Sequence, residues 1–397
     1  MEKINLVRTC PVCNSLLGEV LHNQSFIQPE DSPLPANYNI VCCLNCGFVF
    51  ADTPSDQDTY NDYYKRLSKY EDLETATGGG INQLDLKRLE LTASVIHRLL
   101  PKMSDSILDI GCANGGLLNV LRKNGYYNIL GVDPSLSCVQ HVQSLGIKCV
   151  VGDIFSSAFN EIQEKFDCII LTHVFEHIYD LKNAVENISA KLNDNGIIYI
   201  EVPDASSYAD YYSVPYYYID CEHINHFEEN SLINLFISKE YTLVEAKSIE
   251  LNVSSTQKYP AIYSVFRMKK GNASNQLHSP LAKESFNKFL EQSKKQDEND
   301  NLIKQLVEKQ EPIIIWGAGQ FTLRLLANST LGKCNIKGFI DSDSNKQGKK
   351  LYGLSIHTPD FLANTDCAVV ICSALHHEEI RNTVNSLKIS HPIYIMK

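Results

Sequence analysis

Four cysteines fall in two Cys-x-x-Cys pairs, Cys10-Pro-Val-Cys13 and Cys43-Leu-Asn-Cys46. Each pair puts two thiols on one tight turn, and four thiolates complete the tetrahedral shell of a zinc ion. A closed four-sulfur shell has no open position, so a Zn2+ there is structural. It would contribute on the order of 10–16 kcal/mol to folding a segment with little core of its own. Cys42 is an adjacent spare thiol. A second pattern is Asp109-Ile-Gly111-Cys-Ala-Asn-Gly115, where an apolar strand runs into a glycine turn. Glycines let a ligand approach the backbone, and the N-terminus of the following helix favours a carboxylate. Asp133 closes the next apolar run 24 residues later. An acidic residue there can hold both ribose hydroxyls. Gly152-Asp153-Ile154 closes a third run, where Asp153 can accept from an adenine amino group. A third set is imidazoles: His173 and Glu176-His177 after a fourth run, then Glu222-His223 and His226. Imidazoles titrate near neutrality and suit proton transfer, although a histidine at a strand end is often only a satisfied polar group.

The elements that must position these residues are legible as patterns. Residues 1–50 are Cys-rich and carry no helical periodicity. Residues 55–100 look helical, with a tyrosine-rich start and a Gly78-Gly79-Gly80 break. From about 101 to 270, short apolar runs (SILDI, NILGVD, KCVVGD, FDCIILTH, GIIYIEVPD) alternate with helix-length amphipathic segments. That alternation predicts a parallel sheet built from βαβ units. Residues 271–310 are polar and read as helix and linker. From Pro312 a second α/β pattern begins with PIIIWGAGQ, IKGFIDSD and CAVVICSA. The expected fold is therefore α/β, with a four-Cys zinc module over 1–60, a central Rossmann-like domain over 61–270, a linker over 271–310 and a small α/β domain over 311–397.

Residues 101–203 resemble the class I S-adenosylmethionine-dependent methyltransferases in the order and spacing of four elements. The resemblance implies that Asp109, Gly111 and Gly115 lie against the cofactor, the two glycines beside its methionine part. It implies that Asp133 holds the ribose, that Asp153 and Ile154 frame the adenine, and that His173 faces the transferable methyl. The whole layout resembles the zinc-containing sugar C-methyltransferases, which methylate C3 of nucleotide-linked 4-keto-deoxysugars. The matching segments are Glu176-His177-Ile178, Glu222-His223 within the run 218–227, and the pattern from Asp341 through Lys346-Gln347-Gly348 to Ile356. By that resemblance His223 is the base, Glu222 contacts the sugar or orients the base, and His177 and a tyrosine stabilise the oxyanion. Tyr70 is the first candidate for that tyrosine, ahead of Tyr63 and Tyr64. The family's glycine loop carries Asn-Asp-Gly where this chain has Ala113-Asn114-Gly115.

Composition limits the alternatives. The chain has 397 residues and a net charge of −11, which argues against general affinity for nucleic acid or anionic membrane. No apolar run approaches the ~20 residues that span a bilayer. Thirteen cysteines without a secretory signal suit a reducing, cytoplasmic location better than a disulfide framework. An NAD-binding domain would carry G-x-G-x-x-G after its first strand, and Ala113 stands where a third glycine would be common. In the C-terminal domain, Gly317-Ala318-Gly319 lacks the last glycine of such a motif, so its turn suits part of a substrate diphosphate or nucleoside, or a purely architectural role. The expectation is an enzyme that moves a methyl group from S-adenosylmethionine to a small molecule, a nucleotide-activated sugar first. O- or N-methylation of a small metabolite and a non-catalytic zinc-containing binding protein are the rivals.

Overall fold

The computed structural model describes residues 2–67, 78–237, 239–254, 257–268, 276–295, 297–387 and 391–397. Its described strands form three sheets.

The first is antiparallel, with strands in the order Lys3–Asn5, Leu17–Ser25, Asn37–Cys43, Val49–Asp52 and Asn225–His226. The last strand arrives from far along the chain and pairs Asn225 with Phe50 and His226 with Val49. The expected boundary near residue 60 therefore encloses four of these five strands. A two-residue strand carries no period that a sequence pattern could reveal.

The second sheet has seven strands. Their order is Tyr241–Asn252, Lys258–Met268, Leu192–Pro203, Phe166–Thr172, Ile107–Ile110, Ile129–Asp133 and Lys148–Val151. Five run parallel as βαβ units, and Lys258–Met268 runs antiparallel to both of its neighbours. The near-continuous burial of Ile107–Ile110 and Leu192–Pro203 explains their unbroken apolar runs. Chain order reverses between Ile107–Ile110 and Phe166–Thr172, and a ligand crevice is expected at the carboxyl ends of strands at such a switch. Helix Gln83–Leu99 is capped by the Asn82 side chain, which accepts from the Asp85 amide at 2.8 Å, and it buries Leu89, Ala93 and Ile96.

The third sheet has six strands, with Ile336–Ile340, Ile313–Trp316 and Ala368–Ile371 at its centre in parallel register. The stretch read as helix and linker forms helices Leu281–Ser293 and Asp297–Lys309. Ala282, Phe286, Phe289 and Leu290 are buried, and Phe286 packs 6.0 Å from Tyr208. A dominant polar composition hid this helical stripe, spaced i, i+4, i+7 and i+8. The helix also fixes the tyrosine-rich loop, because Ser293 Oγ accepts from the Tyr216 amide at 3.0 Å. Of the six tyrosines between 208 and 218, Tyr208 and Tyr218 are buried and stack at 3.9 Å, and Tyr212 is exposed. No described helix is long and apolar enough to cross a membrane.

Candidate active site

The strand Ile107–Ile110 ends in a turn where Gly111 adopts φ +71° and Gly115 φ +73°. A Cβ at Gly111 would lie 2.7 Å from Val174, so neither the conformation nor the space admits a larger residue there. Asp133 closes the neighbouring strand and braces the turn. Its Oδ2 accepts from the Ala113 amide at 2.8 Å and its Oδ1 from the Ser135 amide at 2.9 Å. The Gly78–Gly80 loop folds over this turn, with Gly116 N donating to Gly78 O at 3.0 Å. Asp85 Oδ2 accepts from the Gly78 and Gly80 amides at 2.9 and 2.7 Å. Asp109, Gly111, Ala113, Asp133, Asp153 and Ile154 all line one cleft of about 410 Å³. Pockets of this size take small ligands. Asp109 is the exception to good hydrogen bonding here: its Oδ1 is buried with no partner. Burial first, and then the charge of Asp133, push its carboxyl up to about 8 against the pull of Arg88. A buried acid without a partner at a cleft wall fits a cationic or hydrogen-bonding ligand group.

The same cleft is also lined by His173, Glu176, His177, His223, Tyr64, Tyr217 and Tyr259. The His177 and His223 rings are 4.7 Å apart and meet edge to face. His177 Nδ1 lies 2.8 Å from the Tyr64 hydroxyl and 3.1 Å from Glu222 O. A bond from Nδ1–H to that carbonyl leaves Nε2 as the lone-pair nitrogen, and Nε2 is buried without a partner. Glu222 is buried, and its Oε1 accepts from the Tyr63 hydroxyl at 3.0 Å. Ligand atoms of Glu176, His177 and His223 lie within 4.8 Å of one another.

Behind this wall runs a belt of buried charge. His173 has φ +55°, which its short polar ring tolerates better than most side chains. Its Nδ1 is 3.1 Å from Glu176 Oε1 and its Nε2 is 3.4 Å from Glu201 Oε1. Burial alone would lower its pKa, but the two carboxylates outweigh burial and lift it to about 9. His173 is thus a cation at neutral pH. Glu201 also accepts from Tyr199 at 2.9 Å and Thr92 at 3.3 Å. Burial pushes its carboxyl up, yet His173 and Arg88 hold it below its ordinary value. His226 is different: wholly buried without a charged partner, it is driven down to about 3.

The four paired cysteines converge in the first sheet. Cys10 Sγ lies 3.7 Å from Cys46 Sγ and Cys13 Sγ 3.5 Å from Cys43 Sγ, and all four sulfurs fall within 4.8 Å of one another. Four thiolates about 2.3 Å from one tetrahedral ion would be separated by about 3.8 Å. The donor set and spacing fit a zinc ion. Cys42 stands outside the cluster, its Sγ directed to Gly47 O at 3.4 Å.

The structure thus brings Asp109, Gly111, Asp133, Asp153, Ile154, His173, His177 and His223 to one cleft. Gly115 caps the helix Gly116–Lys123 just behind it, and Glu222 stands behind His177. Tyr70 lies outside the described residues. Tyr64, ranked behind it from sequence, contacts His177. Sequence reasoning missed Arg88 and Glu201. Glu201 did carry a signal, as a lone carboxylate inside the apolar run GIIYIEV.

The family model described as "Methyltransferase domain" matches residues 84–246. A model described as "C2185-like, N-terminal" matches residues 309–393. Among curated proteins, "C-methyltransferase NovU" of Streptomyces niveus is 22% identical over 344 residues, covering 81% of this chain and 78% of the relative. "Ubiquinone biosynthesis O-methyltransferase" of Bradyrhizobium diazoefficiens is 31% identical over 97 residues, covering 24% of this chain and 38% of its own. Among solved structures, the 1,6-didemethyltoxoflavin-N1-methyltransferase of Burkholderia thailandensis aligns with a TM-score of 0.41 at 16% identity, over 57% of this chain and 98% of its own.

Proposed function

The chain is a class I S-adenosylmethionine-dependent methyltransferase, and from that premise we propose that it methylates a nucleotide-activated sugar on carbon next to a ketone. The observation that carries this reading is the pair His177 and His223, 4.7 Å apart, in the cleft that Asp109 and Asp133 also line. The likeness to a C-methyltransferase over most of both chains supports it.

Bound S-adenosylmethionine would supply an electrophilic methyl group. Asp133 would hold the ribose, Asp153 and Ile154 the adenine, and Gly111 and Gly115 the methionine part. Asp109 would meet a polar group of the same ligand through its unpartnered oxygen. His173, held cationic by Glu176 and Glu201, shapes the wall beside the reacting centre. His223 takes the proton from the carbon next to the ketone. The Tyr64 hydroxyl can donate to the developing enolate oxygen, and His177 can do so through Nε2 once the ring is doubly protonated. Tyr70 remains a candidate for the same role. Glu222 acts through its carbonyl, which fixes the His177 ring. Cys10, Cys13, Cys43 and Cys46 hold a structural zinc ion. None of the thirteen cysteines forms a disulfide, which suits a reducing setting.

The test is to incubate the full chain with S-adenosylmethionine and a panel of nucleotide-linked 4-ketosugars in heavy water. The expected product gains one carbon-bound methyl, and the neighbouring proton exchanges with solvent even before transfer. His223→Ala should lower turnover by about 10²–10⁴-fold with cofactor affinity intact. Wild-type turnover in that variant would remove His223 as the base. A second reading, O- or N-methylation of a smaller acceptor, is favoured by one observation. Among the described cleft-lining residues the only guanidinium is Arg88, and Asp85 already pairs with it at 3.0 Å. A diphosphate would seek more cationic partners than that. A methyl found on oxygen or nitrogen, with no carbon-bound proton exchange, would establish this reading.

A further inference from the structure

Arg8 stands two residues before Cys10 and is 2% exposed. Its guanidinium donates to three main-chain carbonyls: Ile178 O at 3.3 Å, Ile224 O at 3.3 Å and Tyr179 O at 2.5 Å. Ile178 follows His177 directly, and Ile224 follows His223 directly. One side chain of the cysteine module thus grips the backbone immediately after both cleft histidines. The planar fork of a guanidinium suits this task, because its donors have fixed mutual angles. The plane is held in turn by the Tyr179 ring, 4.4 Å away, and by Phe50 at 5.7 Å. Its base is fixed too, since the Arg8 amide donates to Asp52 Oδ1 at 2.7 Å.

The segments that Arg8 joins are already laced together. Asn225 Nδ2 donates to Phe175 O and Ile178 O at 2.8 and 2.7 Å. Ile224 N donates to Glu176 O, and Ala51 N to Ile224 O, both at 2.9 Å. Ile178 O and Ile224 O would therefore each keep a donor if the guanidinium were gone. Its loss would shift the two histidine segments relative to each other more than it would unfold them.

We propose that Arg8 is a positioning residue: it sets the mutual placement of His177 and His223 and makes that placement depend on the four-cysteine centre two residues away. The consequence for catalysis rests on the methyl-transfer reading above; the coupling of the cysteine centre to the histidines does not. Metal loss at Cys10, Cys13, Cys43 and Cys46 would release the loop that carries Arg8 and both Cys10 and Cys13. The histidines would then drift while the Asp109–Asp133 turn, in the other sheet, keeps its form.

The experiment compares Arg8→Lys, Arg8→Ala and wild type as full chains. Zinc content is measured by mass spectrometry and S-adenosylhomocysteine affinity by calorimetry. Labelling of histidines by diethylpyrocarbonate is followed peptide by peptide, with exposed His97 and His376 as controls. Both variants should keep metal and S-adenosylhomocysteine affinity, while His177 and His223 label several-fold faster and the controls do not change. With the sugar nucleotide that proves to be methylated, kcat should fall roughly 10- to 100-fold with little change in KM, the scale of an ångström's misplacement. Added guanidinium should restore part of the Arg8→Ala rate. Wild type stripped of metal by a thiol reagent should show the same labelling pattern. Unchanged histidine labelling in both variants overturns the proposal, as does loss of S-adenosylhomocysteine binding in the conservative Arg8→Lys. If His223→Ala proves fully active while the Arg8 variants still alter the labelling, the base assignment fails and the coupling stands.

Discussion

Two glycine turns in this molecule are built alike and do different work. In the central sheet, Ile107–Ile110 leads to Gly111, and Asp133 of the next strand accepts from the Ala113 amide at 2.8 Å and the Ser135 amide at 2.9 Å. In the C-terminal sheet, Ile313–Trp316 leads to Gly317, and Asp341 accepts from the Ala318 amide at 2.8 Å and the Asp343 amide at 3.0 Å. Both first glycines have positive φ, +71° and +110°. The difference lies in what surrounds the turn. The central one opens on the cleft, with the unpartnered Asp109 two residues before the glycine; the corresponding C-terminal residue is Ile315, wholly buried. Lys346 occupies Asp341 Oδ2 at 3.1 Å. The helix Gln320–Asn328 turns its polar side chains to the loop that carries Glu222 and His223, Gln320 to Cys221 Sγ at 2.9 Å and Arg324 to Ile219 O at 2.8 Å. A strand, a glycine turn and an acid thus make a brace in either sheet. An unsatisfied acid at a cleft makes a binding site of it.

The sharpest way to break this comparison is to remove each brace. Asp133→Ala strips the Ala113 amide of its acceptor and removes the carboxylate proposed to hold the ribose. S-adenosylmethionine affinity should fall by about 1–3 kcal/mol, read by calorimetry. Asp341→Ala should leave that affinity unchanged and lower unfolding stability by a similar ~1–3 kcal/mol, since it orphans two buried amides. Equal loss of affinity in both variants would mean that the C-terminal turn also serves the cofactor.

A smaller effect separates the turns by pH. Asp109 and His173 both have folded pKa values raised above their unfolded ones, to about 8 and about 9. Each binds more protons folded than unfolded, so its contribution is present at low pH and is lost as pH rises through the folded value. The ligand-free chain should therefore lose thermal stability from about pH 4 to 8 through Asp109 and from about pH 6.5 to 9 through His173. His226 acts oppositely: kept neutral down to about 3, it should cost stability as pH falls below the ordinary histidine range. Asp109→Asn should flatten the part of the alkaline loss that ends near 8, leaving the His173 part, while a matching change at Ile315 has no titration to remove. A melting curve series that is level from pH 6.5 to 9 would contradict both assignments.

These contrasts also mark what the sequence could carry. The central strands and the glycine turn were legible because parallel strands buried on both faces read as apolar runs closed by Asp or Gly, and because local spacing fixes a turn. The two Cys-x-x-Cys pairs were legible for the same reason. What escaped was non-local. The strand Asn225–His226 is two residues long and joins the cysteine sheet, so the segment after His223 and the four-cysteine module share a sheet that no period announces. Arg8 carries no local signal, and only the fold brings it to Ile178 and Ile224. Helix Leu281–Ser293 hid its apolar stripe among Lys and Glu. The near identity of the two turns was visible in their residues, but the distinction between Asp109 and Ile315 acquires meaning only when their surroundings are known.

The smallest expected effect tests the C-terminal turn directly. A Cβ at Gly319 would meet nothing within 4 Å, and its φ of −103° suits any L-residue. Gly319→Ala should change stability by no more than about 0.5 kcal/mol in either direction, with S-adenosylmethionine affinity unaltered. At Gly111 the added Cβ would lie 2.7 Å from Val174 at φ +71°, so Gly111→Ala should weaken that affinity measurably. The open space at Gly319 is also where a phosphate or sugar oxygen would approach the backbone if this turn bound substrate. Gly319→Ala would then raise the acceptor KM while leaving stability and cofactor affinity alone. An unchanged KM would assign the turn to architecture, with Gln320 and Arg324 holding the loop that carries Glu222 and His223.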